Sequence, residues 1–220
     1  MQNLLLVSDK DFGIHFIFFP NLLKGNTLPY VNLFNQYLLR HLQISVADSA
    51  FIASFFRKEV LKAGDYFVRQ GNACAKLAFV ADGVLKTYYT TYSNQESIRY
   101  FSEKQQWVGH LESFVGQKVA PNSVIAVLEC HLVTITYHSF QQLQRDFSLM
   151  SALPEKIREE TTSASVNLYK DIQDYKARYE EFIRSEPELA FQLSTEDIAG
   201  YLHIPHEKLL RILCETLFFF

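Results

Sequence analysis

"EVLKAGDYFVRQGNACAKLAFVADGVLKTYY", residues 59–89, consists of short runs rich in β-branched and aromatic residues. Glycines at 64, 71 and 83 break the runs, each beside a charged or polar residue. Glycine tolerates φ > 0, so these positions suit turns between strands. Ala81-Asp82-Gly83 reads as a hairpin turn. The same texture continues in "SIRYF" (97–101), "QWVGHL" (106–111), "SVIAVLE" (123–129) and "HLVTITY" (131–137). Evenly spaced short strands between residues 60 and 137 predict a barrel or jelly roll.

Outward from this β region, both flanks turn helical. "NLFNQYLLRH" (32–41) places Leu33, Tyr37 and Leu38 on one helical face, and "SVADSAFIASFF" (45–56) repeats the pattern with Phe51, Ile52, Phe55 and Phe56. After Tyr137, "SFQQLQRDFSLMSAL" (139–153) reads as a short helix pair interrupted by Pro154. "EKIREETTSASVNLYKDIQDYKARYEEFI" (155–183) reads as one long helix. Its residues Ile157, Thr161, Ala164, Leu168, Ile172 and Tyr175 lie near one stripe, close to an a/d seam. That spacing predicts a parallel homodimer through a helix spanning 151–175. The other reading is a helix packed on its own barrel.

Composition narrows the function. A chain of 220 residues with 48% hydrophobic and 20% charged content can bury a real core. Its net charge of −3 gives no global attraction to nucleic acid or an anionic membrane. Cys74, Cys130 and Cys214 form no CxxC pair, which argues against a disulfide framework, a zinc site or an iron–sulfur cluster. They are expected to be small buried side chains in a reducing cytoplasm. In "MQNLLLVSDKDFGIHFIFFP" (1–20), Asp9, Lys10 and Asp11 interrupt the apolar runs. The longer run, Phe12 to Pro20, falls short of the ~20 residues a span needs. Neither a signal peptide nor a membrane anchor is expected, and residues 1–31 read as an extension. His110, His131 and His138 form no HxH pair with Glu112 or Glu129, so no metal or other cofactor is predicted. No Ser-His-Asp or Cys-His arrangement stands out, and the chain is read as no enzyme.

The most specific pattern is "LSTEDIAGYLHIPHEKLLRIL" (193–213). Ser194 or Thr195 can cap a helix whose first turn carries Glu196 and Asp197. Ile198 and Leu202 supply its apolar face. His203-Ile204-Pro205 break it, with Pro205 suited to the first turn of a second helix continued by Leu209, Ile212 and Leu213. This is a helix-turn-helix layout, whose second helix would enter a DNA major groove; by spacing alone any helical hairpin reads the same.

The order of parts, a β-roll with "KAGDYFVRQG" and "ADGVLKTYY", a long helix, then "RY..F" (178–182) and "DIAGYLHIPHEKLLRIL", resembles the Crp/Fnr family of bacterial transcription regulators over roughly residues 35–217. The resemblance implies an α+β chain: an effector roll (32–150), a dimerisation helix (151–175) and a helix-turn-helix domain (176–220). It implies double-stranded DNA, a second copy of the chain, RNA polymerase and an unidentified small-molecule effector as partners. In cyclic-AMP-binding members the pocket loop reads Phe-Gly-Glu with Arg-Ser further along. In "VGHLESFVGQKVAPNS" (108–123) the Gly is Gly109, the Glu is His110, and the Arg-Ser pair is Ala120-Pro121. Without the Arg a charge-assisted phosphate contact is lost, and Pro121 removes a backbone donor. The loop's cyclic-nucleotide chemistry is therefore not expected to survive, and "RY..F" followed by "DIAGYL" looks like the subfamily without cyclic-nucleotide ligands. Any effector is expected to be less anionic, held by Gly109, His110, Leu111 and Glu112 and capped near Ser165.

The DNA-reading helix also departs from the family. Its usual Ser-Arg-Glu and later Arg are here Pro205, His206, Glu207 and Arg211. Glu207 can accept from a cytosine amine, Arg211 can donate to guanine, and Lys208 is placed for phosphate. His206 is a weaker, pH-dependent substitute for Arg. Residues 176–220 hold five basic and eight acidic residues, a net −3 that is poor for a phosphate backbone. The family's β-hairpin wing is not expected after "CETLFFF". The alternative reading is a degenerate sensor-like dimer acting through protein contacts, without sequence-specific DNA binding.

Overall fold

The computed structural model describes residues 28–92, 95–146, 152–164, 169 and 171–217. Helices α1 (Leu28–Leu42) and α2 (Val46–Ala53) lead into strands β1 (Arg57–Leu61), β2 (Tyr66–Val68), β3 (Lys76–Asp82), β4 (Leu85–Thr90), β5 (Glu96–Ser102) and β6 (Trp107–Val108). A short helix α3 (Leu111–Gly116) precedes β7 (Ser123–Ala126) and β8 (Cys130–Thr136). The rest is helical: α4 (Tyr137–Asp146), α5 (Ala152–Ala164), α6 (Tyr175–Ser185), α7 (Pro187–Gln192), α8 (Thr195–Leu202) and α9 (His206–Leu217). The strands pair antiparallel in two four-stranded sheets, ordered β1-β8-β3-β6 and β2-β7-β4-β5. The expected α+β class with a two-sheet β-roll is what forms.

The roll closes over an apolar core because alternate strand residues of both sheets turn inward. Leu77 and Phe79 from β3 and their register partners Ile135 and Val133 from β8 share that core with Phe67, Leu85 and Val124 from the other sheet. Helix α1 seals one end. Its Phe34, Tyr37 and Leu38 are buried, and Phe34 lies 4.6 Å from Phe56 and 5.2 Å from Phe79, ring centre to ring centre. Leu33, expected on the same face, is only half-buried and packs at the margin. Phe51 is exposed, and Ser45 and Asp48 form a capping box that fixes where α2 begins.

Four local expectations need correction. Ala81-Asp82-Gly83 does not turn a hairpin: β3 belongs to one sheet and β4 to the other. Gly83 (φ +95°) instead carries the chain across the roll so close to β8 that a Cβ there would sit 2.5 Å from the Glu129 carbonyl oxygen. Pro154 does not interrupt a helix. It lies in the first turn of α5, where its missing N–H has no intrahelical partner to lose. The single helix expected over 155–183 is two. Helix α5 ends at Ala164, Ile172 lies outside any helix, and Asp174 caps α6 by accepting from the Ala177 N–H at 2.8 Å. Asp174 was read as one more helical residue, yet an Asp with a carboxylate facing an N-terminal amide is a start signal. Finally, Cys74 and Cys130 are buried as expected, but Cys214 is exposed.

The proposed seam residues divide accordingly. Ile157 is 1% exposed and belongs to the core of its own roll, beside Leu153. The Thr161 hydroxyl donates to the Ile157 carbonyl at 2.8 Å. Leu168, Ser165 and the side chain of Ala164 lie outside the described residues. Among the described seam positions, Ile157 is thus spent on intrachain packing, whereas Ile172 is half-buried and Tyr175 exposed.

A second core joins roll to helices. Val84, just before β4, with Tyr88 on β4 and Ile98 and Phe101 on β5, meets Phe182, Leu189, Ile198, Ala199, Tyr201, Leu202 and Leu209. Arg178 is buried here at 7% exposure. Its guanidinium donates to the carbonyls of Ile172 and Leu202, tying the α5–α6 connection to the end of α8. Lys86 on β4 and Asp197 on α8 pair at 2.7 Å across the same seam.

Candidate ligand pocket and nucleic-acid interface

The loop from Gly109 to Asn122 is built around His110. Gly109 (φ +120°) brings the chain against β3, where a Cβ would meet Leu77 at 2.9 Å. His110 then caps α3: its Nδ1 accepts from the Ser113 N–H at 3.2 Å, so that nitrogen is unprotonated. Burial agrees, holding the imidazole below its ordinary pKa against the raising influence of Glu112. His110 thus does not stand in for a ribose-binding Glu. It holds the helix.

A pocket of about 170 Å³ opens at this loop, lined by Gly109, His110, Leu111, Glu112 and Asn122, together with Arg99, Tyr100, Arg158 and Thr161. Four of the seven expected effector residues therefore line it. Ala120 does not: it is fully buried in the roll core, with its N–H bonded to the Asn72 carbonyl at 2.8 Å. Pro121 is exposed and lies off the wall, and Ser165 lies outside the described residues.

The cations were missed. Arg99 enters through a β-bulge: Thr87 opposes Tyr100 and Tyr88 opposes Ile98, which leaves Arg99 as the unpaired extra residue. Bulges re-aim side chains, and this one also lets Ile98 and Phe101 both face the second core. No sequence rule singles out a bulge from a plain strand. Arg158 on α5 binds Glu112 at 3.3 Å and also Glu155. Two guanidinium groups and one carboxylate leave the pocket with one net positive charge. It can orient a small anion or a polar group, provided that ligand competes with Glu112 for Arg158.

The other candidate surface is α9. Helix α8 begins at Ser194, whose hydroxyl accepts from the Asp197 N–H at 3.1 Å, and ends at His203 in the left-handed region (φ 52°). Pro205 sits just before α9, and its carbonyl accepts the first bonds of that helix from the Lys208 and Leu209 N–H groups. Leu209 and Ile212 face inward, whereas Glu207, Lys208, Leu210 and Arg211 are exposed. His206 is engaged locally: its Nε2 lies 3.1 Å from Thr195 Oγ1 and 3.6 Å from Glu196. It braces α9 against α8. Leu210, absent from the expected reading set, lies on the outward face between Glu207 and Arg211. Among the described residues no three His, Cys, Asp or Glu side chains are grouped to hold a metal, and no helix is long and apolar enough to cross a membrane.

Residues 58–147 match the cyclic nucleotide-binding domain family, which covers the roll and α4 but neither the pocket's Arg158 nor α8 and α9. Among curated proteins, none matches the sequence. Several solved structures share the fold. A protein assigned to the Crp/Fnr family of transcriptional regulators from Eubacterium rectale is 17% identical with a TM-score of 0.63, the match covering 82% of this chain and 87% of that one. FixK2 from Bradyrhizobium japonicum is 12% identical with a TM-score of 0.61, covering 73% and 83%. The c-di-GMP-responsive global regulator CLP from Xanthomonas campestris is 17% identical with a TM-score of 0.57, covering 79% and 92%. Residues 58–147 are thus similar to cyclic nucleotide-binding domains, and the chain shares its fold with these solved structures.

Proposed function

We propose that the chain is a DNA-binding transcription regulator of the Crp/Fnr type, with α8 and α9 as its helix-turn-helix and the roll as its effector domain. The observation that carries this reading is α9. It is anchored inward by Leu209 and Ile212 and presents Glu207, Leu210 and Arg211 outward, with Lys208 beside them. Glu207 and Arg211 offer an acceptor for cytosine and a donor for guanine, and Lys208 a phosphate contact. A single such helix reads few base pairs, so the working form is a homodimer on two half-sites. Because Ile157 serves the roll core, that dimer uses surfaces other than the full stripe from Ile157 to Ile172.

The roll does not answer to cyclic AMP or cyclic GMP in this reading. Ala120 is core and Pro121 is exposed, so neither brings a cation to a cyclic phosphate, and the loop's Lys118 is exposed and off the pocket wall; the charges there come instead from Arg99 and Arg158. Saturable micromolar binding of either nucleotide by calorimetry would overturn that statement.

DNA reading is tested by titrating selected and scrambled duplexes at two salt concentrations. Arg211→Ala should cost about 1–3 kcal/mol on the preferred site and relax base preference. Lys208→Ala should weaken all duplexes alike and flatten the salt slope by about one unit. The acidic C-terminal segment favours a second reading, a sensor-like dimer acting through protein contacts. Wild type that cannot tell the duplexes apart would establish it over the first.

A further inference from the structure

A cleft of about 440 Å³ opens on the other side of α5, lined by Tyr37 and His41 from α1, Gln105 to Trp107, and Lys156, Glu159 and Glu160. It shares no lining residue with the pocket at Gly109, and its size falls within the range of about 300–1,000 Å³ usual for small-molecule sites.

Inside it a hydrogen-bond chain ends on an incomplete acceptor. Trp107 Nε1–H donates to Tyr37 Oη at 2.9 Å, and the Tyr37 hydroxyl donates to Glu160 Oε1 at 2.7 Å. Burial first, then the bond to Glu160, keeps that hydroxyl protonated far above the ordinary phenol range, so Oε1 stays occupied. Oε2 of the same carboxylate is shielded from solvent and has no donor among the described residues. A shielded carboxylate oxygen without a donor costs free energy that a bound donor would recover. Lys156 lies 4.0 Å from Oε1 and 3.5 Å from Glu159, and so offsets only one of two carboxylates.

We propose that this cleft binds a small organic cation, a protonated amine or guanidinium, whose N–H groups complete Glu160 Oε2. A metal ion does not suit it, since no three ligating side chains converge among the described residues. The walls favour a ligand with a short carbon chain. The Tyr37 and His41 rings lie 4.4 Å apart, tilted by 31°, and offer an aromatic wall to an alkyl segment.

The chain has one tryptophan, and it lines this cleft, so its emission reports occupancy without a label. The full chain would be titrated with putrescine and agmatine, with 1,4-butanediol as an uncharged match for length. The expected result is a saturable change with the amines and none with the diol. Glu160→Gln should lower amine affinity about tenfold or more, the scale of a charge-assisted hydrogen bond. Lys156→Ala should tighten it about threefold by removing a competing cation. The proposal is overturned if no amine saturates below about 10 mM, the weak end of small-ligand binding. That is the outcome if water alone satisfies Oε2. It is equally overturned if the diol acts like the amines or if Glu160→Gln binds as tightly as wild type. Should Glu160→Gln not fold, Lys156→Ala decides, because unchanged or weaker amine affinity there contradicts the electrostatics.

Discussion

The roll's core buries Phe79 and Trp107 packed ring against ring with Phe34 of α1, beside Leu132 and Ile135, with Tyr37 and Glu160 at one edge. Between roll and C-terminal helices the filling is different. Tyr88, Tyr169 and Tyr201 alternate with aliphatic residues, Arg178 is buried among carbonyls, and Lys86–Asp197 crosses the seam. An apolar core draws its strength from area and shape and tolerates no gap. A seam of hydroxyls and ions draws part of its strength from groups that water can also satisfy, so its net stability is smaller and more easily altered. The roll is built to hold its shape. The seam is built at the boundary where a change of position would matter.

Removing a ring from the first core should show the largest effect. Phe79 is fully buried and touches Phe34, Tyr37 and Trp107. Phe79→Ala should cost about 3–5 kcal/mol and unfold the whole chain in one transition, as read by denaturant titration with both tryptophan emission and circular dichroism. If emission and dichroism separated in that variant, the roll would not be the unit on which the rest depends.

Arg178→Met keeps much of the volume but strands the Ile172 and Leu202 carbonyls. The expected cost is about 2–3 kcal/mol. Hydrogen exchange should place the loss in α6, α8 and α9, leaving β3 and β8 as protected as before. Uniform loss of protection would mean that the two cores fold as one.

The contrast also explains what could be read in advance. Strand periodicity, Gly turns and the spacing in "STEDIAGYLHIP" mark the roll and the α8–α9 pair, because local pattern and burial agree there. The α5–α6 break was hidden by a stripe that continues through it, and only the Asp174 cap marked a start. The Gly83 turn looked like a hairpin because φ > 0 serves a crossover equally well. At the pocket, His110 and Glu112 were visible, whereas Arg99 depended on a bulge that sequence periodicity cannot locate. Arg178 was legible as part of "RY..F" but not as a buried carbonyl ligand, since nothing in a sequence tells which main-chain oxygens need a donor. Glu160 went unnoticed for the same reason: its partner Tyr37 is 123 residues away.

The smallest expected effect lies in the seam's charges. Glu103, in the turn before β6, has its carboxyl held above the ordinary value of 4.5 by burial first, then by Glu186 and Glu188 on the helical side. Folded, this carboxyl keeps its proton to higher pH than it does in the unfolded chain. The native state therefore binds more protons across that interval, and stability falls as pH rises through it. The penalty is absent below pH 4.5 and full above the folded pKa. Glu103→Gln removes the charge and keeps a similar shape, so it should raise the melting temperature at pH 7 by about 1–3 °C, the scale of a sub-kcal/mol gain in a chain of this size. At pH 4 the variant and wild type should melt alike. A difference of the same size at both pH values would trace the gain to packing rather than charge. The seam would then lose its claim to be the tunable part of the molecule.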